Sequence, residues 1–215
     1  MNVEQAWQAI DDQRLALTDV LARLSDDEWQ LPSLCDGWTV RDVTAHLTMQ
    51  QVGPGALLMQ IPAMIKARGN LDRLIHDAAR RRAALPTTQL IAEIRGMVGS
   101  RRHNFGVTYR ETLTDILVHS QDITVPLGRR LAMPVDAAAL AATRIWSMDR
   151  MFHAAKRLTG YRLTATDTNW TVGKGAEVNG PVGSILLLLT GRPIDLPLLS
   201  GPGVGSLSAR LAAAG

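Results

Sequence analysis

Residues 114–122, with the sequence TDILVHSQD, place three polar side chains along one side of an otherwise apolar predicted helix. Asp115 and His119 are four residues apart, and Asp122 follows three residues later, so all three point to the same side. An aspartate and a histidine one turn apart can ligate one metal ion, or they can form a buried hydrogen bond. Two ligands do not complete a metal site, so a metal would need a third ligand from another helix.

Among the five histidines, His46 is the best candidate for that third ligand. It lies on a predicted helix on which the neighbouring Val43 and Leu47 are apolar and are expected to face the core. The other histidines are predicted to be surface residues or ordinary, partly buried side chains: His76, His103 and His153. Spacing alone therefore leaves two interpretations open, a metal site and a buried hydrogen-bond network.

The composition is typical of a soluble globular protein, because 46% of the 215 residues are hydrophobic and 20% are charged. The net charge of +3 raises the question of nucleic-acid binding, but the arginines form only short clusters, at 80–82, 101–102 and 129–130. Aromatic residues make up 4% of the chain and do not interleave with these clusters, as stacking on bases would require. We therefore predict no nucleic-acid partner.

Cysteine usage and hydrophobicity indicate the cytoplasm. Cys35 is the only cysteine, so no intramolecular disulfide can form, as expected in a reducing compartment. The acidic, amphipathic N-terminus lacks the pattern of a signal peptide, and the longest apolar run, 185–189, is far too short to span a bilayer. We predict a cytoplasmic protein that binds no membrane, in which Cys35 is a packed structural thiol.

Apolar residues at three- and four-residue steps predict helices up to about residue 158, arranged as an antiparallel bundle of four or five principal helices. Thr39 and Asp42 form a capping-box pattern at the start of the helix that carries His46, and Ser25 begins a similar pattern. The predicted helices cover residues 3–24, 39–51, 56–68, 71–84, 86–98, 108–124 and 134–158.

After Gly160 the pattern changes. The segments RLTATD and NWTVG alternate polar and apolar residues between turn formers, as half-buried strands do. Pro181 begins an apolar helix that runs through Leu189. We therefore predict a mainly α protein with two domains, a helical bundle at 1–160 and a small α/β module at 161–215.

Two of the predicted helices carry motifs that resemble a known family. GWTVRDVTAHL at 37–47 and TLTDILVHSQDI at 112–123 resemble the maleylpyruvate isomerase family of mycothiol-dependent enzymes, in the DinB-like superfamily of metal-binding proteins. The segment NWTVGKGAEVNGPVGSILLLLTGRP at 169–193 is similar to the C-terminal module of many members. The resemblance implies a DinB-like antiparallel helical bundle followed by this module.

The same resemblance implies a divalent metal site formed by His46, Asp115 and His119, with zinc as the expected ion. Many members of the family have glutamate where this chain has Asp115. Asp122 lies outside the ligand set of the family pattern, and we expect it to orient a ligand or to pair with an arginine such as Arg41. The resemblance leaves other catalytic residues unassigned.

The resemblance also implies a reaction. Three protein ligands leave one coordination position open, where mycothiol would bind and be held as a thiolate nucleophile. Addition of the thiolate to a small electrophile gives either an isomerisation or an S-transfer. Arg192 is a candidate contact for an acidic substrate. The predicted partners are thus a small-molecule thiol and an electrophilic substrate.

Two other functions stay open. A non-catalytic metal-binding protein with a stress or interaction role would bind the ion but not the thiol. A carrier of small apolar ligands is suggested by the apolar segment 185–189 and by the methionines around 49–64 and 148–151, although such methionines usually belong to the core. A carrier would bind its ligand whether or not a metal is present.

Overall fold

The computed structural model describes residues 1–51, 53, 71–148 and 153–213. Contacts between Cα atoms divide the chain into two compact units, Asn2–Ala132 and Met133–Gly215, with Met1 assigned to the second. The helix predicted at 56–68 lies outside the described residues. No helix in the described part of the chain combines the length and the hydrophobicity needed to cross a bilayer.

The N-terminal unit is a bundle of helices in which α1 packs against α5 and α6, and α3 packs against α4 and α6. The sixth helix lies at the centre of these contacts, and most of its residues are buried. The helices are α1 Val3–Leu21, α2 Asp26–Gln30, α3 Val40–Leu47, α4 Leu71–Arg82, α5 Thr87–Gly96 and α6 Tyr109–Thr124.

Capping boxes begin several of these helices, including the two that matter for the site. The backbone N–H of Asp42 donates to Thr39 Oγ1 at 3.2 Å, and the Thr39 N–H donates to Asp42 Oδ2 at 2.9 Å. Thr108 and Glu111 form the same reciprocal pair at the start of α6. These bonds satisfy N–H groups that have no partner inside the helix, so they fix where α3 and α6 start.

The apolar residues of α6 explain why its polar side chains point inward. Leu113, Ile116, Leu117 and Ile123 are all fully buried, so the helix is surrounded by protein on nearly every side. Asp122 is 0% exposed. A carboxylate in that position requires hydrogen-bond partners, because an unpaired buried charge is strongly unfavourable.

The C-terminal unit combines a small sheet with helices. Its elements are α7 Val135–Ser147, α8 Ala154–Arg157, β1 Gly160–Ala165, β2 Thr171–Gly173, β3 Gly175–Gly180, α9 Val182–Leu189, a 3-10 helix Pro193–Leu198 and α10 Val204–Ala212. The strand order is β2-β1-β3, with β1 antiparallel to β2 and parallel to β3. The two predicted strands correspond to β1 and β2. The third strand, β3, was not predicted from the sequence, and only Val178 and Gly180 in it are buried.

The helix predicted at 134–158 is not continuous. Its first part is α7, which ends at Ser147, and a separate short helix, α8, begins at Ala154. His153 precedes α8 with a φ of 50°, a left-handed conformation that cannot continue a right-handed helix. Residues 149–152 lie outside the described residues.

The seventh helix belongs to the C-terminal unit rather than to the bundle. It packs against α9, whose side chains are almost all buried and apolar. The contacts therefore divide the chain before α7, whereas the predicted domain boundary lies after it. The domain limits 1–160 and 161–215 stay a prediction.

Candidate metal centre

Three side chains from two helices converge in the N-terminal unit. His46 lies in the last turn of α3, and Asp115 and His119 lie one turn apart on α6. The Oδ1 atom of Asp115 is 3.3 Å from the Nε2 atom of His46 and 3.3 Å from the Nε2 atom of His119. The ligand atoms of all three residues lie within 4.8 Å of one another.

The spacing of these atoms suits a small divalent cation. Ligand atoms that surround zinc tetrahedrally at about 2.0–2.1 Å are roughly 3.3–3.4 Å from one another. Both distances from Asp115 Oδ1 fall at this value. Two imidazole nitrogens and one carboxylate oxygen are donors that zinc, iron, nickel and manganese all accept. The residues present therefore fit a metal ion with three protein ligands.

Aromatic contacts hold the ring of His46. Its centroid is 4.9 Å from that of His119, with an angle of 74° between the planes. Trp38, which lies two residues before α3, packs edge-on at 5.6 Å from the ring of His46. The Nδ1 atom of His46 is buried without a hydrogen-bond partner among the described residues. Among the described residues, the contacts that orient this ring are the two aromatic ones and the contact of Nε2 with Asp115 Oδ1.

The charges of the three side chains are coupled. Burial disfavours the ionised form of Asp115, but the charges and hydrogen bonds of His46 and His119 outweigh burial and hold the pKa of Asp115 well below its usual value. Burial likewise disfavours the protonated form of His119, but the charge of Asp115 and hydrogen bonds from neighbouring groups raise the pKa of His119 well above its usual value. In the absence of a cation, a proton on His119 therefore balances the carboxylate.

A second buried carboxylate lies behind His119. The Nδ1 atom of His119 is 2.8 Å from Asp122 Oδ2, and the Sγ atom of Cys35 donates to the same oxygen at 3.1 Å. A carboxylate at Nδ1 favours the tautomer with its proton on Nδ1, which leaves the lone pair of Nε2 available on the side of Asp115. Cys35, His119 and Asp122 also form a group with metal-ligand chemistry, but their short contacts are those of a hydrogen-bond network.

Two residues that were not predicted from the sequence connect to Asp115, Gln50 directly and Arg14 through Gln50. The Nε2 atom of Gln50 donates to Asp115 Oδ2 at 2.8 Å. Arg14, on α1, donates from Nη2 to Gln50 Oε1 at 3.0 Å and is 0% exposed. Arg14 follows Ile10 by four residues and precedes Leu17 by three, so its place on the apolar face of α1 was visible in the sequence. Nothing local to Gln50 distinguished it from its neighbour Gln51.

The two arginines named in the sequence analysis, Arg41 and Arg192, both donate to backbone carbonyls. Arg41 donates to the backbone carbonyls of Ala83 and Leu85, at 2.5 and 2.7 Å, instead of to Asp122. These bonds attach α3 to the end of α4 and the connection that follows. Arg192 lies in the C-terminal unit and donates to the carbonyl of Thr190 at 2.6 Å.

The remaining histidines do not join the three ligand candidates. His76, on α4, packs against Trp38, the same side chain that contacts His46, with 5.8 Å between the ring centroids of His76 and Trp38. His103 stacks on Trp7 at 6.5 Å. Cys35, which the sequence analysis predicted to be a packed structural thiol, is half-buried and bonded to Asp122.

Comparisons with known proteins bear on the family and the fold of the chain. Residues 10–105 match the family model of the mycothiol maleylpyruvate isomerase N-terminal domain. A crystal structure of a histidine-to-alanine mutant of the mycothiol-dependent maleylpyruvate isomerase is 12% identical, with a TM-score of 0.59, and the match covers 94% of this chain and 93% of that chain. A crystal structure of the mycothiol-dependent maleylpyruvate isomerase is 13% identical, with a TM-score of 0.56, covering 89% and 90%. No curated protein sequence matches significantly.

At 12–13% identity, the two structural matches are evidence for a shared fold, which extends over both units of the chain. The predicted fold class, a mainly α DinB-like bundle with a small C-terminal α/β module, is confirmed. The family model includes His46 and ends before Asp115, so it covers one of the three ligand candidates. Residues 10–105 thus match the mycothiol maleylpyruvate isomerase N-terminal family, and the resemblance to the maleylpyruvate isomerase family is confirmed. The motif at 37–47 lies within the matched residues, whereas the motif at 112–123 lies after them.

Proposed function

We propose that this protein is a mycothiol-dependent enzyme that binds one divalent cation, with zinc as the expected ion, through His46, Asp115 and His119. The observation that carries the proposal is the pair of 3.3 Å distances from Asp115 Oδ1 to the two histidine Nε2 atoms. The residue types support it as well, because two histidines and one carboxylate are a recurrent set of catalytic zinc ligands.

The bound cation would supply the chemistry of thiol activation, since a coordinated thiol loses its proton at neutral pH. Three protein ligands leave room for such a thiol, whereas structural zinc sites usually have four. The proposed thiol is mycothiol, after the family of the N-terminal domain and the names of the two structural relatives. The proposed reaction is isomerisation of a small electrophile or S-transfer to it. This chemistry belongs to the cytoplasm, where thiols stay reduced.

Asp122 is proposed to position His119 rather than to ligate the ion. Its Oδ2 atom accepts hydrogen bonds on the side of the imidazole away from Asp115, the usual arrangement of a carboxylate behind a metal-ligating histidine. Arg41 is proposed to have a structural role, because it joins α3 to the carbonyls that follow α4. Arg192 as a contact for an acidic substrate stays a prediction.

Thiol binding to the cobalt-substituted protein tests this function. Co²⁺ accepts the same donors as zinc and gives a strong near-ultraviolet charge-transfer band when a thiolate binds to it. We expect the band to appear on addition of mycothiol and to be absent with the S-methyl derivative of the same thiol. A protein that binds Co²⁺ but never develops the band would be a metal-binding protein without thiol chemistry, which contradicts the proposal.

The pH dependence of metal affinity should follow the proton on His119. A histidine must be neutral to bind a metal ion. Because Asp115 raises the pKa of His119 in the metal-free protein, protons compete with the metal even at pH values above the usual pKa of histidine. Below this raised pKa, we expect the affinity to fall about tenfold per pH unit for each proton displaced. Asp115 adds no further dependence near neutrality, because its pKa is lowered.

Calorimetric titration in buffers with different ionisation enthalpies would measure the protons released per metal ion. The number of protons released per metal ion should decrease as the pH rises through the pKa of His119. Metal binding with no proton release at any pH between about 5 and 8 would show that His119 is not a ligand.

A further inference from the structure

A chain of hydrogen bonds connects the interior of α1 to the metal centre. Arg14 donates to Gln50 Oε1 at 3.0 Å, and Gln50 Nε2 donates to Asp115 Oδ2 at 2.8 Å. Both Arg14 and Gln50 are buried, with 0% and 4% of their surfaces exposed. Water therefore has little access to the hydrogen bond between Arg14 and Gln50 in this relay.

The orientation of the Gln50 amide follows from the chemistry of its two neighbours. A guanidinium has only donors, so the amide oxygen must face Arg14. The amide nitrogen then faces Asp115, where an ionised carboxylate has only acceptors. The opposite orientation would place two donors together at one end and two acceptors at the other. Arg14 thus determines which atom of Gln50 meets the carboxylate.

The guanidinium itself is fixed by other groups. Its Nη1 atom donates to the carbonyl of Met97 at 3.0 Å and lies 3.5 Å from Asp11 Oδ1. Asp11 is held in turn through its Oδ2 atom, which accepts from the Gly99 N–H at 3.0 Å and from Arg101 at 2.9 Å. These bonds connect α1 to the segment after α5, so Arg14 cannot turn away from Gln50 without breaking them.

The two oxygens of Asp115 consequently have different environments. Oδ2 accepts from Gln50, while Oδ1 is 3.3 Å from both histidine Nε2 atoms. We propose that Gln50, oriented by Arg14, is a positioning residue. Its hydrogen bond occupies Oδ2 of Asp115, so that the carboxylate would bind the cation through Oδ1 alone, and Gln50 thereby sets metal affinity. This inference rests on the proposed function, because it concerns a ligand of the proposed cation. A carboxylate free of Gln50 could bind through both oxygens and change the coordination number.

The variant Gln50→Glu tests the relay with almost no change in side-chain size. Glutamate still accepts from Arg14, but it cannot donate to Asp115 and adds a negative charge beside it. We expect a fall in Zn²⁺ affinity of about 10- to 100-fold, the usual effect of losing the partner of a metal ligand. Competition with a chromophoric chelator measures the affinity. The visible spectrum of bound Co²⁺ should also change in intensity, because it depends on coordination number.

Gln51→Glu is the matched control. It introduces the same charge one residue further along, where the side chain accepts from Ser100 Oγ at 3.3 Å. We expect its Zn²⁺ affinity and Co²⁺ spectrum to stay close to those of the wild type. Thermal unfolding of both variants without metal would verify that each is folded. Equal affinity and identical Co²⁺ spectra for Gln50→Glu and the wild type would overturn the inference and leave the proposed function intact.

A second measurement addresses the relay when no metal is present. In the metal-free protein, we expect the side-chain amide protons of Gln50 to exchange slowly and to give two well-separated NMR resonances. The variant Arg14→Lys should shift these resonances, because lysine keeps the positive charge but lacks the planar set of N–H donors of the guanidinium. Amide resonances typical of a solvent-exposed glutamine would overturn the relay. Absence of metal binding in the wild type would instead refute the proposed function.

Discussion

The variant Arg14→Met should lose about 3 kcal/mol of its free energy of unfolding, because removing one partner of a buried charged network leaves the others uncompensated. Arg14 is fully buried and bonds to Gln50 and to the carbonyl of Met97, with Asp11 nearby. Methionine replaces the aliphatic part of the arginine side chain, so most of the cost arises from the polar groups that lose the guanidinium. Urea unfolding of the metal-free protein measures the change.

Arg23→Met is the control for this prediction. Arg23 is an exposed arginine just after α1, and its replacement should change the free energy of unfolding by no more than about 0.5 kcal/mol. An Arg14→Met protein as stable as the wild type would show that Gln50 and Asp11 do not depend on the guanidinium. Such a result would also remove the physical basis of the relay to Asp115.

Loss of either histidine ligand should have the largest effect on metal binding. We expect His46→Ala and His119→Ala each to lower Zn²⁺ affinity at least about 100-fold. Loss of a residue that only hydrogen-bonds to a metal ligand already lowers metal affinity about 10- to 100-fold, and loss of a ligand itself should cost more. Chelator competition at constant pH measures both. His76→Ala is the control, because His76 packs against Trp38 without joining the three ligand candidates. It should retain the wild-type affinity within about a factor of two.

The two ligand variants should differ in stability when no metal is present. Replacement of His119 leaves the buried Asp122 without the imidazole 2.8 Å from its Oδ2 atom, and we expect a loss of about 1–3 kcal/mol. Replacement of His46 removes the contact of its Nε2 atom with Asp115 Oδ1, but His119 still contacts that oxygen, so we expect a smaller loss of stability. If both variants bind Zn²⁺ as tightly as the wild type, the three residues form a hydrogen-bond network and not a metal centre.

Local features of the fold were predictable from the sequence because their causes are local. The capping boxes at Ser25 and at Thr39 need only residues three positions apart, and both are present. Helical periodicity in the same way predicts that Asp115, His119 and Asp122 lie on one side of α6. The helix predicted at 134–158 was wrong in its middle, because an apolar pattern does not reveal a single left-handed residue such as His153.

The non-local part of the site was harder to predict. His46 and Asp115 are 69 residues apart in the chain, and spacing on each helix separately says nothing about their distance in space. The family resemblance supplied that pairing. Arg14 could have been noticed as a charge on an apolar helix face, but its partners could not have been named. The hydrogen bond from Cys35 to Asp122 depends on the loop before α3, for which the sequence carries no periodic signal.

The metal content of the purified protein, measured by elemental analysis after extensive dialysis, tests the central claim most directly. The wild type and His46→Ala should be prepared in parallel, with Zn²⁺ supplied to both before dialysis. We predict about one divalent ion per wild-type chain and a nearly metal-free variant. A wild type that retains no metal, or a His46→Ala protein that retains as much as the wild type, would contradict a metal centre formed by His46, Asp115 and His119.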